Sequence, residues 1–281
     1  MASLRISRFW RGTRLPAFFP LEEEAHWTPI LEAGSIFLFL DFDGTLTEIA
    51  PRPSDAYLSS QRRKWLQALS AVPGFSISVI SGRPLDDLQR LIGLDEIYYV
   101  GNHGLEWLRP GGSKNSYAVD KPITDALQSI RNRLRHVLAH RKGVYLEDKG
   151  MALALHYRMA SEDTALAVKS EFLRLVHQHQ KGGLALEILA GKEVVEAKPT
   201  IANKGNAAAY LLEHYGNGAF PVYCGDDLTD EVAFQRLDKK GITILVAETP
   251  RPTAASFFLR NPNELYEFLQ RLLRLKGAKS C

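Results

Sequence analysis

Residues 36–45 read Ile-Phe-Leu-Phe-Leu-Asp-Phe-Asp-Gly-Thr, an apolar run that ends on two carboxylates and a glycine. Five consecutive apolar residues predict a strand that is buried on both faces, as in a parallel sheet. Later apolar runs also end in polar loops, and helical patterns lie between them, which favours an α/β fold with a parallel sheet. These later runs are residues 75–80, 97–100 and 220–224.

The middle of the chain departs from this alternation. Residues 112–198 predict a helix, two strands, a second helix and two more strands, with short glycine-containing links between neighbouring strands. Such links are typical of hairpins, so we expect an antiparallel α+β insert. The sequence therefore predicts a Rossmann-like core of residues 34–111 and 199–281, interrupted by an inserted α+β domain of residues 112–198. Residues 1–33 are expected to lie outside this fold, as an N-terminal extension with no assigned role.

The composition is that of a globular protein and excludes several classes. The chain has 281 residues, 45% hydrophobic and 24% charged, with 35 Lys and Arg against 32 Asp and Glu. Basic residues cluster only in residues 1–14, so nucleic acid is not an expected ligand. No run approaches the about 20 apolar residues of a membrane span, and no secretory signal is recognised. Two cysteines without metal spacing or a disulfide framework favour a cytoplasmic location.

The loops that follow the strands bring polar residues to one edge of the predicted sheet. Ligands of an open parallel sheet bind beyond the carboxyl ends of its strands, where these loops meet. Crowded carboxylates repel one another unless a cation lies among them, and Mg²⁺ prefers oxygen ligands. We therefore expect a Mg²⁺ site and a phosphate substrate there, with a plain acidic helix start as the alternative for residues 225–231. The side chains concerned are Asp41, Asp43, Asp226, Asp227 and Asp230, with the hydroxyls of Thr45 and Ser81.

Asp41 and Asp43 lie two residues apart at the end of a strand. Their side chains therefore start on the same face, and both can contact one substrate. Asp41 is suited to attack phosphorus, and Asp43 to protonate the leaving oxygen and later deprotonate water. The alternative is that both aspartates only form part of the turn between a strand and a helix. Ser81-Gly82 either caps a helix or cradles phosphate oxygens. Lys204 opens a helix, where the dipole disfavours a cation, so it is either a solvated lysine or a functional one.

The order and strand context of these motifs resemble those of haloacid-dehalogenase-like phosphatases. Further stretches look like trehalose-6-phosphate phosphatases, and the resemblance covers about residues 35–275. The superfamily motifs are Asp41-x-Asp43-Gly-Thr45, Ser81, Lys204 and Gly225-Asp-Asp227; the further stretches are 80–83, 101–104 with Glu106, 147–149, 156–158, 191–192 with Glu196, 204–205 and 225–231.

The resemblance implies a Mg²⁺-dependent phosphatase of trehalose biosynthesis, which converts trehalose 6-phosphate to trehalose and phosphate through an aspartyl-phosphate. It implies that Asp41 is the nucleophile and Asp43 the general acid and base. Mg²⁺ is then expected on Asp41, the carbonyl of Asp43 and Asp226, with Asp227 and Asp230 in support. The expected ligands of the phosphoryl group are Thr45, Ser81, Gly82 and Lys204.

The resemblance also implies that the insert is a cap that selects the sugar. From the residues alone, Glu147 and Lys149 share one face of a predicted strand, and a solvated, charge-paired sheet face is the alternative. His156 either orients its neighbours or is a half-buried histidine. Asn102 and His103 are further candidates for substrate contact. The cap residues expected to bind substrate are Glu147, Lys149, Arg158, Lys192 and Glu196.

Two other functions stay open from the sequence. A phosphatase of another small sugar phosphate, of sucrose or glucosyl type, would have the same core and a cap whose side chains bind a different sugar. A non-catalytic sugar-phosphate-binding regulatory domain would have lost a nucleophile, acid or metal ligand, whereas Asp41, Asp43 and Asp226 are all present. A trehalose-phosphate synthase is a candidate partner.

Overall fold

A computed structural model describes residues 13–50, 52–191 and 193–277. Two features singled out from the sequence fall partly or wholly outside these ranges: most of the basic segment of residues 1–14, and the candidate cap residue Lys192. Within the described ranges, no helix is both long enough and apolar enough to cross a membrane.

The contacts divide the chain into two compact units. The core unit comprises the described residues up to Asn115 and from Asn203 onward, and the insert unit comprises Ser116–Ala202. The insert unit begins and ends four residues later than the insert predicted from the sequence. The shift arises because a short strand at Lys114–Ser116 extends the core sheet, and because the last strand of the insert runs on to Pro199.

The helices and strands are named in chain order. The strands are β1 (Ala17–Phe18), β2 (Ile36–Asp41), β3 (Phe75–Ile80), β4 (Tyr98–Gly101), β5 (Glu106–Leu108), β6 (Lys114–Ser116), β7 (Tyr145–Asp148), β8 (Leu153–His156), β9 (Leu186–Gly191), β10 (Val194–Pro199), β11 (Phe220–Gly225), β12 (Ile242–Val246) and β13 (Phe257–Leu259). The helices are α1 (Glu24–Glu32), α2 (Ser60–Ser70), α3 (Leu85–Ile92), α4 (Lys121–Leu138), α5 (Glu162–Lys181), α6 (Lys204–Tyr215), α7 (Glu231–Leu237) and α8 (Pro262–Gly277).

The core unit is built on a nine-stranded sheet in the order β1-β13-β12-β11-β2-β3-β4-β5-β6. From β1 across to β4 the neighbouring strands run parallel, and β5 returns antiparallel to β4. Every residue of β2 is buried, since both faces of the sheet are covered. Leu38 and Leu40 join an apolar cluster with α2, α3 and α8, whereas Phe39 on the opposite face contacts Tyr223. The predicted α/β fold with an inserted α+β unit is confirmed.

The segment before β2 is not outside the fold, and this expectation is wrong for residues 13–33. β1 pairs in parallel with β13, and α1 buries Trp27 completely. The rings of Trp27 and Phe19 lie 4.9 and 5.1 Å from that of Phe268 on α8. Without this segment, β13 would be an open sheet edge and the aromatic surface of α8 would face water, so the segment completes the core.

The insert unit has a four-stranded antiparallel sheet in the order β7-β8-β10-β9. One face is apolar, and Leu155 and Val195 on it join a buried cluster with residues of α4 and α5. The other face is polar. On it, Ala154 of β8 is in register with Glu147 of β7 on one side and Glu196 of β10 on the other.

Candidate active site

The candidate active site lies at one edge of the core sheet, where neighbouring parallel strands end. Asp41 is the last residue of β2, Ser81 directly follows β3, and Asp226 directly follows β11. Lys204 is the first residue of α6. The structure therefore brings together residues that are far apart in sequence, because parallel strands deliver their carboxyl ends to the same edge.

Lys204 is the buried cation of the site. Its Nζ donates to Asp41 Oδ1 at 2.6 Å and to Asp230 Oδ1 at 2.9 Å. Burial by itself lowers the pKa of this ammonium group, but the carboxylates of Asp230 and Asp41 outweigh burial and hold the pKa above its ordinary value. The dipole of α6 disfavours a cation at its first residue, and two buried carboxylates compensate for it.

Asp230 is fully buried and both of its oxygens are hydrogen-bonded within the protein. Tyr223 Oη donates to Oδ1 at 2.7 Å, alongside Lys204, and the backbone N–H of Asp227 donates to Oδ2 at 3.1 Å. The carboxylate of Asp227 is exposed and accepts from the N–H of Leu228 at 2.7 Å. Asp230 thus anchors Lys204 and the loop after β11, and Asp227 caps the turn that follows.

Asp41, Asp226 and Asp230 each offer a carboxylate oxygen, and these oxygens lie within 4.8 Å of one another. Asp41 Oδ2 is buried and accepts no hydrogen bond from any residue that the structure describes. Gly44 has φ +89°, and a Cβ there would lie 2.1 Å from Asp226 Oδ2, so only glycine leaves room for this carboxylate. An orphaned buried oxygen among clustered carboxylates fits a hard divalent cation.

Burial is the main reason that the pKa values of Asp41 and Asp226 lie above their ordinary values. Burial raises the pKa of Asp41 to about 7, although Lys204 opposes the rise. Burial, reinforced by the charges of Asp41 and Asp230, raises the pKa of Asp226 to about 10. Burial and neighbouring negative charge therefore favour the protonated forms of Asp41 and Asp226 when no cation offsets that charge.

Thr45 and Ser81 place hydroxyl groups at the same edge. Thr45 is fully buried, and its Oγ1 makes no hydrogen bond to any described residue. Ser81 is buried, and its Oγ accepts from the backbone N–H of Arg83 at 3.2 Å. Gly82 lies against the ring of His103, since a Cβ at Gly82 would be 2.4 Å from His103 Cε1. The hydroxyl group of Thr45, which is buried without a hydrogen-bond partner among the described residues, is therefore available to donate to a phosphate oxygen.

Asn102 and His103 form a strained turn beside this loop. Both have left-handed backbone conformations, with φ +49° and +56°, which non-glycine residues rarely adopt. The N–H of Asn102 donates to the carbonyl of Arg83, and that of His103 to the carbonyl of Ser81. Asn102 Nδ2 also donates to Glu106 Oε2 at 2.7 Å. Strain of this kind is held in place by surrounding contacts and is common near functional sites.

Arg83 is the partner of Asp43, and the sequence did not indicate this contact. Arg83 Nε and Nη2 donate to the two carboxylate oxygens of Asp43, each at 2.7 Å. The residue belongs to the Ser-Gly-Arg motif, but as a helix-entry pattern the motif carried no signal of a partner 40 residues away.

Glu231 and Arg251 support Asp226, and the sequence predicted this supporting role for neither of them. Buried Glu231 accepts from Thr253 Oγ1 at 2.7 Å, from the N–H of Ala254 at 2.8 Å and from Arg251 Nη1 at 3.3 Å. Arg251 Nη2 donates to the carbonyl of Asp226 at 2.9 Å. These bonds tie the loop after β12 to the loop that carries Asp226. Four of the six residues 226–231 are Asp or Glu, which gave a signal for the region but not for this division of roles.

Two lysine–glutamate ion pairs and one histidine–glutamate contact lie on the polar face of the insert unit. Lys149 Nζ lies 2.8 Å from Glu196 Oε2, Lys198 Nζ lies 2.9 Å from Glu187 Oε2, and His156 Nε2 lies 2.9 Å from Glu147 Oε2. Burial raises the pKa of Glu147, but His156 and Lys149 outweigh burial and hold it below its ordinary value. The structure therefore gathers Glu147, Lys149 and Glu196 on one sheet face.

Arg158 lies beyond the end of β8, where its Nε donates to Glu193 Oε2 at 3.1 Å. Both side chains of this pair are substantially exposed, in contrast to the Lys149–Glu196 pair. Lys192 is outside the described residues, so its position is not assigned.

Comparison with known proteins identifies the family of the chain. The family model described as trehalose-phosphatase matches residues 39–263. A probable trehalose-phosphate phosphatase 4 of Oryza sativa subsp. japonica is 33% identical over 255 residues, 87% of this chain and 68% of the relative. The trehalose-phosphate phosphatase of Mycobacterium tuberculosis (strain ATCC 25177 / H37Ra) is 35% identical over 245 residues, 84% of this chain and 61% of the relative.

A solved structure supports the same relationship. Trehalose-6-phosphate phosphatase of Aspergillus fumigatus has a TM-score of 0.66 and 26% identity, covering 94% of this chain and 100% of that chain. The resemblance stated from the sequence motifs is confirmed. The family match spans most of the chain, and a curated relative is 33% identical over 87% of this chain and 68% of its own length, so the chain belongs to the trehalose-phosphatase family.

Proposed function

We propose that this chain hydrolyses trehalose 6-phosphate to trehalose and phosphate, as a phosphoric monoester hydrolase of trehalose biosynthesis. The family match supports the substrate, and the observation that carries the phosphatase chemistry is the surroundings of Asp41. Its Oδ1 is held by Lys204, whereas its Oδ2 is buried and has no hydrogen-bond partner among the described residues. A buried carboxylate fixed in this way is suited to place one oxygen on a cation and to use the other for nucleophilic attack on phosphorus.

In the first step, an oxygen of Asp41 attacks the phosphorus and the bond from phosphorus to the sugar oxygen breaks. Asp43 gives a proton to that leaving oxygen, which becomes a hydroxyl group of trehalose. Lys204, Thr45 and Ser81 bind the oxygens of the transferring phosphoryl group, with the backbone at Gly82 beside them. Positioning and charge neutralisation of this kind account for most of the catalysis of phosphoryl transfer.

In the second step, water attacks the aspartyl-phosphate at phosphorus and loses a proton to Asp43. The bond from phosphorus to the Asp41 oxygen breaks, which releases phosphate and restores the carboxylate. Asp43 thereby returns to its protonated form, so the two steps balance without any further reactant.

We propose Mg²⁺ as the cation of the site, held by Asp41, Asp226 and the backbone carbonyl of Asp43. When bound, Mg²⁺ supplies positive charge that offsets the charge of the phosphate and orients its oxygens. Asp230 supports the site through Lys204, since its own oxygens already accept hydrogen bonds. Asp227 supports it by capping the turn of the same loop.

We propose that the insert unit is the cap that selects the sugar. Carboxylates and ammonium groups on one sheet face are suited to pair with the hydroxyl groups of a disaccharide, and Glu147, Lys149 and Glu196 lie on that face. Arg158 and Lys192 are proposed as further cap contacts. Asn102 and His103 are proposed to contact substrate from the core unit.

A phosphate-release assay tests the substrate and the mechanism together. Trehalose 6-phosphate, sucrose 6-phosphate and glucose 6-phosphate are compared, each with Mg²⁺ and with a chelator. We expect Mg²⁺-dependent turnover with a preference for trehalose 6-phosphate, abolished by Asp41→Asn. Asp87→Asn, at an exposed ion pair on α3, is the control and should leave turnover unchanged.

Three results would each contradict a different part of the proposal: the nucleophile, the substrate or the catalytic activity itself. Undiminished turnover by Asp41→Asn would remove Asp41 as the nucleophile. A strong preference for another sugar phosphate would replace the substrate and keep the chemistry. Stoichiometric binding of trehalose 6-phosphate without Mg²⁺-dependent turnover would indicate a non-catalytic regulatory domain.

We also propose a cytoplasmic location and association with a trehalose-phosphate synthase. The low cysteine content, with Cys224 free and buried, suits a reducing compartment. The product of such a synthase is the substrate proposed here, which is the chemical support for the association. Cell fractionation tests the location, and co-purification with the synthase tests the association.

A further inference from the structure

The carboxylate of Asp43 is held by a single guanidinium group. Two parallel bonds of 2.7 Å join Arg83 Nε to Asp43 Oδ2 and Arg83 Nη2 to Asp43 Oδ1. A fork of this kind fixes both the position and the plane of a carboxylate. The side chain of Arg83 is 11% exposed and that of Asp43 is 36% exposed, so the buried partner holds the more accessible one.

Arg83 is itself held in place by the loops of the site. Its N–H donates to Ser81 Oγ at 3.2 Å, and its carbonyl accepts from the N–H of Asn102 at 2.8 Å. Its guanidinium carbon lies 5.6 Å from the centre of the Phe42 ring. The strained turn at Asn102 and the phosphate-binding loop at Ser81 therefore both determine where the Arg83 fork points.

We propose that Arg83 is a positioning residue for Asp43, which it orients for proton transfer to the leaving oxygen. The inference rests on the proposed function, because it assumes that Asp43 is the general acid. Asp43 has two rotatable side-chain bonds, and without the fork its partly exposed carboxylate would sample several rotamers. Each carboxyl oxygen has two acceptor sites, so the proton that Asp43 transfers occupies a site that the fork leaves open. Fixing one orientation aims that proton at the leaving oxygen in the first step without altering the attack by Asp41.

The two-pronged contact with Asp43 can be made by arginine at position 83 but not by lysine. Lysine keeps the positive charge but is a single, flexible donor, so it does not hold two carboxylate oxygens in one plane. Arg83→Lys therefore removes the orientation of Asp43 and retains the charge. Arg83→Gln is a second variant, which removes the charge and retains one planar donor group.

The test compares leaving groups that differ in their need for a proton. The sugar oxygen of trehalose 6-phosphate leaves poorly unless protonated, whereas 4-nitrophenolate leaves 4-nitrophenyl phosphate without protonation. kcat/KM reports only steps up to the first irreversible one, so the later hydrolysis of the aspartyl-phosphate does not enter. We expect Arg83→Lys to lower kcat/KM for trehalose 6-phosphate by roughly 10²-fold, within the range of general acid catalysis, and for 4-nitrophenyl phosphate by less than about threefold.

The matched control is Arg90→Lys on α3, where Arg90 Nη2 lies 2.7 Å from Asp87 Oδ1 in an exposed ion pair. Arg90→Lys should leave kcat/KM unchanged for both substrates. Melting temperatures establish that each variant is folded. If Arg83→Lys does not fold, Arg83→Gln is assayed in its place with the same expectation.

A double-mutant cycle shows whether Arg83 acts through Asp43. In an Asp43→Asn background, the Arg83→Lys substitution should lower kcat/KM for trehalose 6-phosphate by less than about twofold, because the group it positions is already absent. An equal loss on both substrates, or a full further loss in the Asp43→Asn background, would overturn the proposal and assign Arg83 to phosphate binding or folding.

Failure of the proposed function gives a different result. If the unmodified chain prefers another alkyl phosphate, the substrate assignment fails, and the same leaving-group comparison is made with that substrate. If the unmodified chain turns over neither an alkyl nor an aryl phosphate, both the proposed function and the role of Arg83 are overturned.

Discussion

Replacing Trp27 with alanine tests whether the segment before β2 belongs to the core. The side chain is fully buried, and its ring stacks on Phe268 at 4.9 Å and meets Phe19 edge-on at 5.3 Å. Its indole Nε1 donates to the carbonyl of Leu21 at 3.0 Å. Trp27→Ala removes this buried surface and leaves a cavity, for which the free energy of unfolding falls by about 3–5 kcal/mol.

The loss should be visible in the melting temperature of the core unit. A unit of roughly 150–250 residues loses about 2–4 °C per kcal/mol, so the decrease expected for Trp27→Ala is roughly 6–20 °C. Differential scanning calorimetry measures it and separates transitions of the two units where they differ. Leu15→Ala is the control in the same segment, because Leu15 is 68% exposed and its loss should cost less than about 0.5 kcal/mol. A Trp27→Ala variant within 1 °C of the parent would refute the assignment of this segment to the core.

Three further outcomes follow from the site. Gly44→Ala should lower Mg²⁺-dependent phosphate release by more than about 10²-fold, because its Cβ would lie 2.1 Å from Asp226 Oδ2, and near-normal activity would contradict this geometry. Lys204→Met should lower the free energy of unfolding by about 3–5 kcal/mol in urea, because it leaves Asp41 and Asp230 buried without their cation; an unchanged unfolding midpoint would be inconsistent with the ion pairs. Burial raises the pKa of Asp41 from 3.8 to about 7, so in the metal-free chain the folded state binds a proton that the unfolded state has lost. Its contribution to the free energy of unfolding should therefore fall as pH rises from about 4 to about 7, and Asp41→Asn, measured in urea with a chelator, should remove that contribution; equal pH slopes in both proteins would argue against it.

Local patterns predicted the positions of most strands and helices in the described residues. The apolar run of β2 is buried on both faces, and the acidic residues that follow it lie at the carboxyl edge of the sheet, as the sequence indicated. The predicted hairpins of the insert are present as β7-β8 and β9-β10. These features depend on residue type and short-range spacing, which a single sequence displays directly.

The N-terminal segment shows where such patterns fail. α1 is short and contains Pro29, and β1 has only two residues, so neither gives a strong periodic signal. Their burial depends on the open edge of β13 and the aromatic face of α8, which come more than 200 residues later. The partner that decides the structure is invisible from the segment itself.

The sequence alone determined the α/β core, the inserted unit, and the residue types at the sheet edge, because these follow from periodicity and from motifs of neighbouring residues. Only the tertiary structure decided which side chains meet there: Arg83 with Asp43, Lys204 between Asp41 and Asp230, and Arg251 with the carbonyl of Asp226. The physical reason is that each of these contacts joins loops brought together by the parallel sheet, and the orientation of a side chain within such a loop depends on its packed neighbours rather than on its place in the chain.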